Sequence, residues 1–150
     1  MNLNLKKSIP IEKFTLKNGL RVIIVNNSVI PIASINLSYR VGSKDENFGK
    51  TGFAHLFEHL MFEGTQNLPK GKFDEICSSA GGVNNAYTTY DWTSYVMTVP
   101  SNQLELAFWL ESDRMFNSDV TQKSLDNQKS VVIEEINQTV ENQPYARWRT

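Results

Sequence analysis

Residues 52–62 read Gly-Phe-Ala-His-Leu-Phe-Glu-His-Leu-Met-Phe, and their phase decides how the chain is to be folded. At about 100° per residue, with His55 at zero, Glu58 falls at about −60° and His59 at about +40°. Phe53, Leu56, Phe57, Leu60 and Met61 fall between about 100° and 240°, on the other side. The stretch predicts a helix with an apolar back for a core and a front of two imidazoles and a carboxylate. Gly52, at about +60°, stands on that front, where its missing side chain leaves room.

Upstream, Ala33, Ile35, Leu37, Tyr39 and Val41 alternate with Ser34, Asn36, Ser38 and Arg40. This period of two predicts a strand with one buried face. Before it, Phe14 to Leu16 and Leu20 to Val25 flank Asn18-Gly19, the pair favoured in a two-residue type I′ hairpin turn. Residues 42–50 read as a charged loop bounded by glycine. Downstream, Phe73, Ile76 and Cys77 predict a short helix stopped by Gly81-Gly82. Val83 to Thr89 and Trp92 to Val99, rich in Thr, Tyr and Val, predict two strands. A third helix opens at Pro100-Ser101-Asn102, with Asn102 and Glu105 at capping-box spacing; it is strongly apolar from Leu104 to Phe116, and Leu104 to Met115, Trp109 included, reads as core. Glu111 and Arg114 read as a surface i,i+3 pair. A fourth helix runs from near Ser124 to near Asn142. The order strands, helix, helix, strands, helix, helix predicts an α+β fold, a mainly antiparallel sheet with helices on one face. Residues 1–12 read as a lead-in and 13–150 as one domain. Four helices ask for more sheet than these strands offer, so the domain reads as truncated at its C-terminal side.

Composition narrows the function. The chain has 150 residues, 40% apolar, with 15 basic and 16 acidic side chains and a net charge of −1. No global charge draws it to nucleic acid or to an anionic membrane. One cysteine excludes an internal disulfide framework. No apolar run reaches the ~18 residues of a spanning helix, and no secretory signal is visible, which makes the cytoplasm the default expectation, with the periplasm open if the true start lies elsewhere.

The chain's two histidines both lie in this one helix. Imidazoles at i and i+4 can grip one metal ion from a single helix turn. Zinc, bound there, lowers the pKa of a bound water from 15.7 towards about 7, and the intervening Glu58 can take the proton as the water attacks a carbonyl. Hydrolytic zinc sites use three protein ligands, so a third must come from elsewhere. The fourth helix offers Asp126, Glu134, Glu135 and Glu141. With Val132 at zero, Leu125, Gln128, Ile136 and Thr139 lie within about 40° of it, Glu135 at about −60° and Glu134 at about 200°. A carboxylate at the margin of a buried stripe needs a cation or strong donors. That favours Glu135 over Glu134, with a salt bridge to Lys or Arg as the equal alternative. Gln128, two turns earlier on the same face, is placed to hydrogen-bond Glu135 from behind.

His-x-x-Glu-His is the inverzincin order. With Asn18-Gly19-Leu20, Gly64-Thr65, Gly81-Gly82, Asn85-Ala86, Thr88, Tyr95, Leu110 to Met115, Val131 to Glu135 and Asn142 to Tyr145, the chain resembles the M16 metallopeptidases from Phe14 to Pro144. Processing peptidases, pitrilysin and insulysin are members of that family. The resemblance implies an α+β metallopeptidase domain, one zinc held by His55, His59 and Glu135, and Glu58 as general base. Some members carry a glutamate at the position of Gln128, which can offer only hydrogen bonding. The resemblance further implies that a peptide or unfolded polypeptide is bound as an extra strand at a sheet edge, here Asn85, Ala86, Tyr87 and Thr88. It implies a second homologous domain or subunit that closes a clamshell and supplies an Arg and a Tyr, roles to which neither Arg147 nor Arg149 is assigned. The function expected is a zinc endopeptidase or oligopeptidase; the rival is a non-catalytic peptide-binding or partner subunit of such an assembly.

Overall fold

The computed structural model describes residues 10–27 and 29–142, with side chains as far as 138. The motif residues after Asn142 and most of the lead-in lie outside them. The described chain forms two compact units, residues 1–31 and 32–150.

The first unit is a hairpin, β1 (Ile11–Thr15) and β2 (Arg21–Val25), antiparallel with Thr15 opposite Arg21. The turn differs from the expected two-residue type. Leu16 and Leu20 still bond across it, Leu16 N–H to Leu20 O at 2.8 Å, so Lys17, Asn18 and Gly19 form a three-residue loop with Gly19 at φ +89°. A left-handed residue at the end of a three-residue loop is the next most favoured way to reverse a strand. β1 begins inside the stretch taken for lead-in.

The second unit holds β3 (Ile32–Tyr39), α1 (Phe53–Leu60), α2 (Lys72–Ser79), β4 (Val83–Thr88), β5 (Thr93–Pro100), α3 (Leu104–Asn117) and α4 (Gln122–Asn142). Its strands make an antiparallel sheet in the order β3-β5-β4, with Leu37 opposite Tyr95 and Ala86 opposite Tyr95 on the other side. One face is apolar: Ala33, Ile35, Met97 and Val99 pack with Phe73, Cys77, Ala107 and Leu110 of α2 and α3. The opposite face carries a ladder of hydroxyls, Ser34 to Thr98 at 2.8 Å and Ser38 to Ser94 at 2.7 Å. The helices accordingly gather on the apolar face, and the architecture is the α+β one expected. No described helix is long and apolar enough to cross a membrane.

α3 departs from its reading. A 3-10 turn over Ser101–Gln103 precedes it, and Gln103 rather than Asn102 occupies the cap, so the Asn102–Glu105 box does not form. Trp109 and Phe108 are about half exposed, leaving Ala107 and Leu110 as its fully buried apolar residues. Glu111 and Arg114 are not a surface pair. Both are buried, the guanidinium donating to both Glu111 carboxylate oxygens at 2.6 Å and lying 4.4–5.1 Å from the ring centres of Tyr95, Phe73 and Phe62. The aromatic faces and the carboxylate together offset the cost of burying that charge. Burial pushes the phenol of Tyr95 well up, and Arg114 pulls it part of the way back.

Candidate metal centre

Helix α1 begins at Gly52, whose φ of +87° an L side chain rarely adopts. Space is not the reason for a glycine, since a Cβ there meets nothing within 4 Å. The back of α1 buries Leu56 and Leu60 against Val132 and Leu125 of α4. Phe53 and Phe57 stay half exposed and line an apolar cleft of about 500 Å³ with Tyr39, Val41, Met61 and Tyr95. The front is not turned to open solvent. It faces β4 and α4, which is why Glu58 is only 9% exposed.

On that front Nε2 of His55 and Nε2 of His59 stand 3.1 Å apart. Oε2 of Glu135, reaching in from α4, lies 3.6 Å from the first and 3.4 Å from the second. These carboxylate distances exceed the roughly 2.7–3.2 Å of an N–H···O hydrogen bond. They suit the edges of a tetrahedron about a zinc ion, which bonds of about 2.0–2.1 Å set near 3.3 Å. Two imidazoles and one carboxylate are also a donor set that leaves a fourth position open. Among the described residues these three are the His/Cys/Asp/Glu group able to hold a metal ion. Glu135 has no Lys or Arg within ion-pair distance among the described residues, so the salt-bridge alternative is not what the geometry shows. Cys77 is buried in the core among Phe73, Met97 and Val99.

Two expectations need correction. The buried stripe of α4 ends at Val132; the Glu135 side chain is 47% exposed and Ile136 is exposed as well, so Glu135 points into the site from beyond the packed part of the helix. Gln128 is buried but does not support Glu135. Its amide donates to Oε1 of Glu63 at 2.5 Å, an atom that also receives the Lys70 ammonium. Gln128 lies 7 residues, about two turns or 10 Å along the helix, before Glu135, and Glu63 stands nearer to it.

Glu58 accepts a hydrogen bond of 2.5 Å from the Thr88 hydroxyl. Thr88 Oγ1 is in turn 3.2 Å from that of Thr93, which donates to Val41 O at 3.0 Å. Of the residues expected at the sheet edge, Thr88 is therefore turned inward upon the carboxylate. Ala86, Tyr87 and Thr88 border a cleft with His55 and Glu58, and Asn85 and Ala86 border another with Glu58, His59, Lys70 and Asp74. β4, like β3, is an outer strand, and among the described residues it pairs only with β5. The bond from Thr89 N–H to Trp92 O fixes the alternation, so that Asn84, Ala86 and Thr88 direct their amides away from β5. The Ala86 N–H is held meanwhile by the side chain of Asn85, at 2.9 Å.

Sequence reasoning missed Glu46. Its Oε2 accepts from the N–H of Gly52 and its Oε1 from that of Ala54, both at 2.8 Å. A carboxylate a few residues ahead of a helix that starts on glycine was the available signal.

Comparison with known proteins supplies the family. The family model described as insulinase, peptidase family M16, matches residues 21–148. The zinc protease PqqE of Helicobacter pylori is 36% identical over 134 residues, covering 89% of this chain and 30% of that protein. An uncharacterized zinc protease of Bacillus subtilis, YmxG, is 30% identical over 126 residues, 84% of this chain and 31% of its own. A crystal structure of a protease from Helicobacter pylori superposes with a TM-score of 0.87 at 35% identity, over 91% of this chain and 33% of that one. Pitrilysin shares the fold, with a TM-score of 0.77 at 23% identity over 87% of this chain and 14% of its own. The chain thus spans about a third of the curated relatives it matches. With the match running from β2 past the end of α4 and the paired histidines of α1 in its midst, the chain belongs to the M16 peptidase family.

Proposed function

We propose that this chain is the metal-binding part of a zinc endopeptidase or oligopeptidase, with one zinc on His55, His59 and Glu135 and Glu58 as general base. The observation that carries the reading is the convergence of two imidazole nitrogens and one carboxylate oxygen at tetrahedral-edge distances, with Glu58 buried beside them. Bound there, zinc would supply Lewis acidity towards a peptide carbonyl and its attacking water. Glu58 takes the proton of that water and delivers it to the leaving amine. Thr88 holds the carboxylate in place for both transfers. The outward amides of β4 bind an extended peptide as an added strand, which reads backbone more than sequence. A second, homologous domain or subunit completes the substrate chamber.

Elemental analysis of the folded chain should find one zinc. In the full-length protease, Glu58→Gln should keep that zinc and lower peptide hydrolysis at least 100-fold, the span general acid–base catalysis ordinarily contributes. Undiminished turnover by the variant would remove Glu58 from the role. A folded chain that refuses added zinc would favour the non-catalytic reading.

A further inference from the structure

We infer that Glu46 is a positioning residue for the metal centre, the working end of a loop that sets helix α1 against the peptide-binding edge. The inference rests on the metal site proposed above. α1 opens on Gly52, which has no side chain with which to cap its own helix. The first intrahelical bond runs from Leu56 N–H to Gly52 O, so the amides before it need outside partners. Glu46 supplies them to Gly52 and Ala54 at once, with a negative charge at the positive end of the helix. His55 follows Ala54 directly, within the turn that this carboxylate holds.

The other end of the same loop is tied to the turn between β4 and β5. Ser43 N–H bonds Thr89 O at 3.1 Å and Lys44 N–H bonds Tyr90 O at 3.0 Å. Gly42 approaches so closely that an added Cβ would sit 2.4 Å from both carbonyl oxygens. Asp45 accepts the Gly42 N–H at 3.1 Å, which folds the loop back on itself. β4 and α1 are thus linked twice, directly by Thr88 on Glu58 and around the outside by residues 42–46. The loop therefore fixes where the first histidine stands relative to the strand that would present substrate.

The test is the zinc dissociation constant of the chain by chelator competition, beside its melting temperature without metal. Glu46→Gln can accept through only one of its two terminal groups, and it is expected to raise the zinc Kd about tenfold. Glu46→Asp keeps the charge, shortens the reach by one methylene and should fall between. If the Gln variant does not fold, the Asp variant carries the same comparison. A purely structural role would lower the metal-free melting temperature and leave the Kd within twofold of the parent, which would overturn the inference. A parent chain that takes up no zinc would instead overturn the metal-site reading, and this inference with it.

Discussion

Glu134 and Glu135 are adjacent, equally charged and both exposed, and only one of them faces the histidines. The other accepts from Gln138 one turn along its own helix, at 3.1 Å. Glu135→Gln should therefore weaken zinc binding by at least tenfold and Glu134→Gln by less than twofold, read by the same chelator competition. Equal losses would dissolve the distinction. Helical phase separated the two in the sequence because it needs only a constant angle per residue. The same method placed Gln128 correctly on the buried side of α4 and still missed its partner, because phase fixes a direction and not what stands there. Arg114 was illegible for a related reason. A charged pair three residues apart on a helix looks alike whether water or three aromatic rings surround it, and the rings arrive from the turn after α1, from α2 and from β5.

Between elements, polar ties fix the geometry that apolar packing leaves loose. Asp113 of α3 accepts from Thr65 Oγ1 and Asn67 Nδ2 at 2.5 Å and from Asn117 Nδ2 at 2.7 Å, binding the loop between α1 and α2 to α3. Burial pushes its carboxyl up, and the three hydrogen bonds outweigh that and hold it below the ordinary range. A depressed folded-state pKa adds stability above the unfolded value of about 3.9, and that stability drains away as pH falls through the folded value. In metal-free urea unfolding, Asp113→Asn should cost about 1–3 kcal/mol at pH 7, the usual penalty for stranding buried donors. The difference should begin to narrow as pH falls below the unfolded value of about 3.9 and close only once pH passes below the depressed folded value, where the parent carboxyl too is protonated. A gap constant down to pH 2 would assign the loss to packing. The capping role of Glu46 escaped sequence reasoning in the same way as these ties: its partners lie 6 and 8 residues further on, across a loop without periodicity.

At the scale of the whole molecule, alternation, glycine stops and helix order gave the architecture correctly, since each reports a local preference that the fold obeys. The hairpin loop and the α3 cap were missed, since both turn on a single residue's position. Phe108, Trp109 and Phe116 of α3 are exposed, so the apolar run of that helix is buried on one side only. On the reading proposed above, the outward side of β4 offers main-chain groups that read no sequence, and a strand that would accept any extended backbone would equally accept its own copy. Self-recognition is then the counterpart of broad specificity. Sedimentation at rising concentration should reveal pairing of chains through β4, reversed by a short extended peptide. Ala86→Pro should also abolish it, because the amide it removes faces away from β5. Pairing that persists in that variant would place the contact elsewhere. By bonding the Ala86 amide itself, the Asn85 side chain acts as a sheath over that donor, one that a guest strand must displace before it can pair.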